Sequence, residues 1–150
     1  MKIIKDKKIV DDNWSHLADD EAISQGDITV SLSRWKDEKS SLRDHAGKIG
    51  IRLAPADHLE DIADDLANFQ LIGLEFPAFT DGRSFSHARL LRSRYQYENE
   101  IRAMGHYMAD QVFYLARVGV NAFQLENTAE LEVALSTIND FSVQYQASTN

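Results

Sequence analysis

The chain has 150 residues, 43% of them hydrophobic, and a formal net charge of −8, so it can bury one sizeable core while its average field repels nucleic acid and anionic lipid. It contains no cysteine, which excludes disulfides, thiolate metal centres, cysteine-held iron–sulfur clusters and cysteine nucleophiles together. Apolar runs are only a few residues long, so neither an export signal nor a membrane span is expected, and the expected location is the cytoplasm. One domain is expected over 1–150, with 1–27 an N-terminal hairpin and connection and 28–146 a βα core.

In chain order, Ile3-Ile4 and Ile9-Val10 flank a charged tip and predict a hairpin. Ile28, Val30 and Leu32 alternate with polar residues and predict a half-buried strand from Asp27 to Ser33; a short helix follows over Ser40 to His45. Lys48 to Leu53 reads as a strand. Asp57 and Glu60 have capping-box spacing, and Leu59, Ile62, Ala63, Leu66 and Phe69 recur along one helical face. Leu71 to Phe76 is a second strand, stopped by Pro77, after which Ser84 or Ser86 caps a helix running to Ser93. Glu100 to Met104 is a third strand, Tyr107 to Val118 a helix ended by Gly119, and Val120 to Leu125 a fourth strand. Thr128 opens the last helix, with Leu131, Ala134, Leu135, Ile138 and Phe141 facing inward, and Val143 to Tyr145 adds a short final strand.

This alternation predicts an α/β fold of β-α units, with a mainly parallel sheet flanked by helices and a small N-terminal hairpin. Leu53, Leu59, Ile62, Leu66 and Phe69 match Leu125, Leu131, Ala134, Ile138 and Phe141 at a constant offset. Two generic strand–helix units give the same match, and the pattern is compatible with a partial β/α barrel.

The charge is unevenly distributed. From Asp81 to Arg102 there are five arginines against three acids, and every lysine lies at or before Lys48. Guanidinium is a rigid planar fork suited to carboxylates and other oxyanions. In parallel sheets, ligands sit beyond the carboxyl ends of the strands, where the Asp81-Gly82 turn and the following helix start are delivered. Arg83, Arg89, Arg92 and Arg102 are therefore candidates for holding an anion or an acidic partner, with Asp81, Asp110 and Gln111 beside them. Two readings stay open: a binding surface, or arginines paired with Glu75, Asp81, Glu98 and Glu100 or facing solvent. Arg102, within a strand, needs an acidic partner or a bound anion.

The five histidines lack metal-binding spacing, so no metal site is expected; His87 and His106 lie near the suspected site and are candidates for moving a proton. No glycine-rich dinucleotide fingerprint, Walker loop or nucleophile elbow is present. No resident cofactor is expected, and no catalytic residue is assigned.

The run Phe76-Pro77-Ala78-Phe79-Thr80-Asp81-Gly82-Arg83-Ser84-Phe85-Ser86-His87-Ala88-Arg89-Leu90-Leu91-Arg92, with Glu100-Ile101-Arg102-Ala103-Met104-Gly105 and Asp110-Gln111, resembles the signature of a bacterial family, domain-of-unknown-function family 934. Members of that family are described as oxidoreductases involved in sulfite reduction. The likeness runs from near Val30 to about Leu125; Ser84 stands where that pattern has glycine and His106 where it has an acid. The resemblance implies a companion of siroheme-type sulfite reductase, with Asp81, Arg83, Arg89, Arg92, Arg102, Asp110 and Gln111 as its working residues. A chain without cysteine cannot hold the reductase's cluster by thiolate, so the implied role is that of an accessory protein docking on the haemoprotein subunit. Alternatives from other classes are a stand-alone enzyme acting on a small anion and a regulatory module sensing a sulfur metabolite.

Overall fold

The computed structural model describes residues 1–76, 83–105, 111–125 and 128–139. Its elements are β1 (Lys2–Lys5), β2 (Lys8–Asp11), β3 (Ser15–His16), β4 (Ile28–Ser31), α1 (Leu32–Arg43), β5 (Ile49–Leu53), β6 (Leu71–Phe76), α2 (Arg83–Ser93), β7 (Glu100–Gly105), α3 (Val112–Arg117), β8 (Ala122–Leu125) and α4 (131–139). Segments of 3-10 helix over Leu59–Asp61, Ala63–Asn68 and Thr128–Glu130 are also described.

One eight-stranded sheet runs β2-β1-β8-β7-β6-β5-β4-β3. From β3 to β8 all pairings are parallel, while the hairpin strand β1 joins β8 antiparallel. The expected α/β architecture, with its mainly parallel sheet, flanking helices and N-terminal hairpin, is the one observed. The edge strands β2 and β3 are joined by only Asp12, Asn13 and Trp14, a stretch that spans at most about 14 Å. A flat sheet of eight strands about 4.8 Å apart would put those edges about 34 Å apart. The sheet must therefore curl until its edges nearly meet, as a barrel does.

Strand alternation gives this curled sheet two unlike faces. Ile28, Val30, Ile51, Leu53, Ile72, Leu74, Ile101, Ala103 and Phe123 belong to one apolar cluster with Trp35 and Leu42 of α1, Leu91 of α2, Leu115 of α3 and Ile138 of α4. The other face carries His16, Thr29, Arg52, Gly73, Glu75, Glu100, Arg102, Met104 and Gln124, placed on the same side by the registers. Asp12, in the connection between the two edges, reaches Arg102 in mid-sheet, so this polar face is the concave one.

Several local expectations are corrected. The strand begun at Ile28 ends at Ser31, whose hydroxyl accepts the Arg34 N–H at 3.1 Å and starts α1 at Leu32, eight residues before the predicted helix. Over 59–68 the chain forms two 3-10 segments in place of an α-helix. The Asp57 carboxylate is spent on the Ala54 N–H, 2.8 Å away, and Asp61, Asp64 and Asp65 are poor helix formers. The apolar spacing still works, because Leu59, Ile62 and Phe69 are buried. α2 already begins at Arg83, so Ser84 lies inside it, buried, and its hydroxyl donates to the Glu75 carbonyl at 3.1 Å. In the last segment Leu131, Ala134 and Ile138 are buried as expected, while Phe141 and the strand expected at 143–145 lie outside the described residues.

Candidate functional site

The five arginines of the sequence motif go to different places. Arg83 is exposed in the first turn of α2, on the side of the sheet where the parallel strands end. Arg89 and Arg94 are exposed on the outer side of α2 and just past its end. Arg92, near the C-terminal end of α2, donates Nε–H to the Gly119 carbonyl at 3.0 Å and an Nη1 hydrogen to each of the Tyr97 and Asn99 carbonyls at 2.7 and 2.8 Å. It fastens α2 to the turn after α3 and to the segment entering β7, and burial lowers its pKa, with Tyr97 and Glu98 opposing. Arg102 lies inside the curled sheet, with its side chain 1% exposed. Gln111 is half-buried just before α3, whereas Asp81, His106 and Asp110 lie outside the described residues.

Arg102 has the acidic partners that its burial demands. Its Nε and Nη2 both bond Glu100 at 2.9 Å, and its Nη1 bonds Asp12 at 3.0 Å and Gln124 at 3.3 Å. Lys5 reaches the other oxygen of Glu100 at 3.2 Å. On the far side of Asp12, His16 bonds its carboxylate at 2.9 Å and the Thr29 hydroxyl at 2.8 Å. Thr29 in turn accepts from Arg52 at 2.7 Å. The network therefore runs across the concave face from β1 to β3 and ties the connection between the two edges, through Asp12, to the middle of the sheet. Burial pushes the Asp12 pKa up, but the bonds from His16, Arg102 and the Trp14 N–H outweigh it and hold the carboxyl at about 2. Sequence reading missed Asp12 and His16. Their four-residue spacing was the only local signal, and it lies in a connection rather than on a helix.

The outer face of α2 and α3 has a different character. Residues 83–97 and 111–125 contain five arginines and no Asp or Glu, in a molecule of net charge −8. Arg94 lies over the Tyr95 ring and Arg117 over the Phe113 ring, each with 5.9 Å to the centroid. Tyr114 is 59% exposed, and a groove of about 520 Å³ between the two helices is lined by Phe85, Gln111, Tyr114, Arg117 and Val118. Arginines beside exposed aromatic surface are the composition of protein-binding surfaces.

A second groove, of about 350 Å³, runs between the loop after β5 and the first turns of α2. Asp57, His58, Glu60, Arg83, Ser86 and His87 supply its polar walls. His87 is nine-tenths buried, and its Nδ1 is the one buried side-chain nitrogen or oxygen without a hydrogen-bond partner among the described residues. Such an orphan costs about 1–3 kcal/mol. Burial lowers the His87 pKa, against the opposing pull of Asp57.

Among the described residues no helix is long and apolar enough to cross a membrane, and no group of His, Asp and Glu is arranged to hold a metal ion. A family model described as "Bacterial protein of unknown function (DUF934)" matches residues 50–150. No curated protein matches the chain.

Proposed function

We propose that this chain, which belongs to the bacterial family of unknown function DUF934, is an accessory protein of assimilatory sulfite reduction that docks on the haemoprotein subunit of a siroheme-type sulfite reductase. The pathway rests on the resemblance carried by the motif from Phe76 to Gln111. The observation that carries the docking mode is the α2–α3 surface, whose segments 83–97 and 111–125 contain no Asp or Glu and where Arg89, Arg94 and Arg117 are exposed along with Leu90 and Tyr114. Of the seven residues singled out by the motif, Arg102 and Arg92 serve the fold through bonds to the chain's own carboxylates and carbonyls. Arg83 and Arg89 are left with exposed side chains.

Docking of this kind is electrostatically steered. The arginine face orients the acidic molecule toward a negative patch, and the aromatic groove supplies the apolar contact once the charges have met. The test is co-purification of the intact chain with the host's sulfite reductase haemoprotein, followed by a binding titration at low and high salt. Arg89→Glu combined with Arg94→Glu reverses two exposed charges and weakens binding at least about tenfold, or about 1.4 kcal/mol, without changing the melting temperature of the free chain. Unchanged affinity in that variant, or no complex at low ionic strength, overturns the docking reading. A flavin or haem absorption band that co-purifies with the chain would move it from docking aid to redox protein.

A further inference from the structure

The groove between α2 and α3 has one short wall. α3 runs for six residues, Val112–Arg117, which is about 9 Å of helix. An extended chain advances about 3.3 Å per residue, so an occupant lying along that wall touches it through about three residues. That is too little for a partner helix to lay down an apolar stripe, and enough for one large side chain and its neighbours. Three side chains form the apolar part of the lining: Phe85 on α2, Tyr114 on α3 and Val118 just past its end. The Phe85 ring is held edge-on against Phe76, with centroids 6.0 Å apart, and Phe85 and Val118 are half-buried, so this surface is in place before anything binds. Tyr114 stands exposed over it. One helical turn beyond Phe85 on the same side of α2 is Arg89, exposed. The flanking segments 83–97 and 111–125 bring five arginines and no carboxylate of their own. Guanidinium cannot shed its charge, so a partner that covers it must supply the opposite sign.

We infer that this groove takes a short acidic linear segment of the docking partner. One large apolar side chain of the segment seats against Phe85, Tyr114 and Val118, and a carboxylate beside it meets Arg89. That the segment belongs to the haemoprotein rests on the docking reading; that a few residues of sequence bind by themselves, apart from any folded surface, is what the groove adds.

The test is titration of the intact chain at low ionic strength with the synthetic peptide Glu-Asp-Glu-Ser-Phe-Ser-Glu-Asp-Glu, read in NMR by the signals of Phe85, Tyr114 and Val118. Saturable shifts centred on α2 and α3 are expected, and leucine or tryptophan in place of the phenylalanine should serve as well. Alanine at that place, or glutamine for every acid, should weaken binding by about tenfold or more. Tyr114→Ala and Arg89→Glu, both at exposed positions, should each weaken it by about tenfold while the free chain melts as before. No saturable shift with any of the anchored peptides, equal binding of the alanine peptide, or full binding by Tyr114→Ala overturns the inference. The two readings fail separately. A haemoprotein complex that the peptide neither binds in place of nor displaces keeps the docking reading and removes the linear segment, whereas peptide binding without a haemoprotein complex at low salt supports the groove's chemistry and removes the haemoprotein as its source.

Discussion

Replacing Arg102 by methionine removes the charge at the centre of the concave face while keeping most of the side chain's length. Asp12 and Glu100, with side chains 3% and 6% exposed, are left buried without their main cation. Breaking a buried ion pair from one side costs about 3–5 kcal/mol. The depression of the Asp12 pKa from 3.8 to about 2 corresponds to about 2 kcal/mol of that, shared between Arg102, His16 and the Trp14 N–H. For a chain of this length the loss lowers Tm by about 10 °C. The pH dependence separates a charge effect from a packing effect. In the parent, Asp12 has a folded pKa below its unfolded one, so its contribution is complete above about pH 4 and is lost as pH falls toward 2. In Arg102→Met only His16 and the Trp14 N–H oppose burial, so the Asp12 pKa rises from its value in the parent, less stability is lost on acidification, and the deficit shrinks as pH falls through the range in which the parent's Asp12 is protonated. Urea unfolding at a series of pH values measures both curves. A deficit below about 1 kcal/mol at pH 7, or one that widens on acidification, refutes the role assigned to the network.

Three further substitutions test the packing around the same sheet. Gly73 sits on the concave face, and a β-carbon there would lie 2.5 Å from Sδ of Met104; Gly73→Ala should cost about 1–3 kcal/mol, and Met104→Ala in the same chain should restore part of it in a double-mutant cycle. Arg92→Lys keeps the charge but cannot bond three carbonyls in one plane, and should cost about 1–3 kcal/mol in urea unfolding, with faster amide exchange at the entry to β7. Gly119 has φ +112, and a β-carbon there would stand 2.3 Å from Cγ of Arg92. Gly119→Ala should therefore lower Tm at least as much as Arg92→Lys does, and the two effects should not add, because both loosen the same fastening.

The parallel strands β5 and β6 were legible almost to the residue, since Ile49–Leu53 and Leu71–Phe76 are short apolar runs closed by polar or proline residues. β7 and the hairpin were equally plain. Legibility failed where one local signal competed with another. Ser31 is a strand residue by alternation and a helix cap by chemistry, and its hydroxyl's bond to the Arg34 N–H decides for the cap. Asp57 has the spacing of a capping box, yet its carboxylate closes the turn at Ala54 instead.

The sequence by itself determined the hairpin, the order of the strands β4 to β8 and the side of those strands that is apolar, because burial repeats with the period of the backbone and that period can be read within a dozen residues. It also determined that arginine, and not lysine, would be the cation of the last hundred residues. Only the tertiary structure decided what each arginine does. Arg102 meets His16 from 86 positions away, and Arg92 meets carbonyls on two other segments, because the curl of the sheet and the stacking of its helices bring those atoms together. A guanidinium's role depends on which carboxylates and carbonyls reach it through space, and spacing along the chain does not encode that.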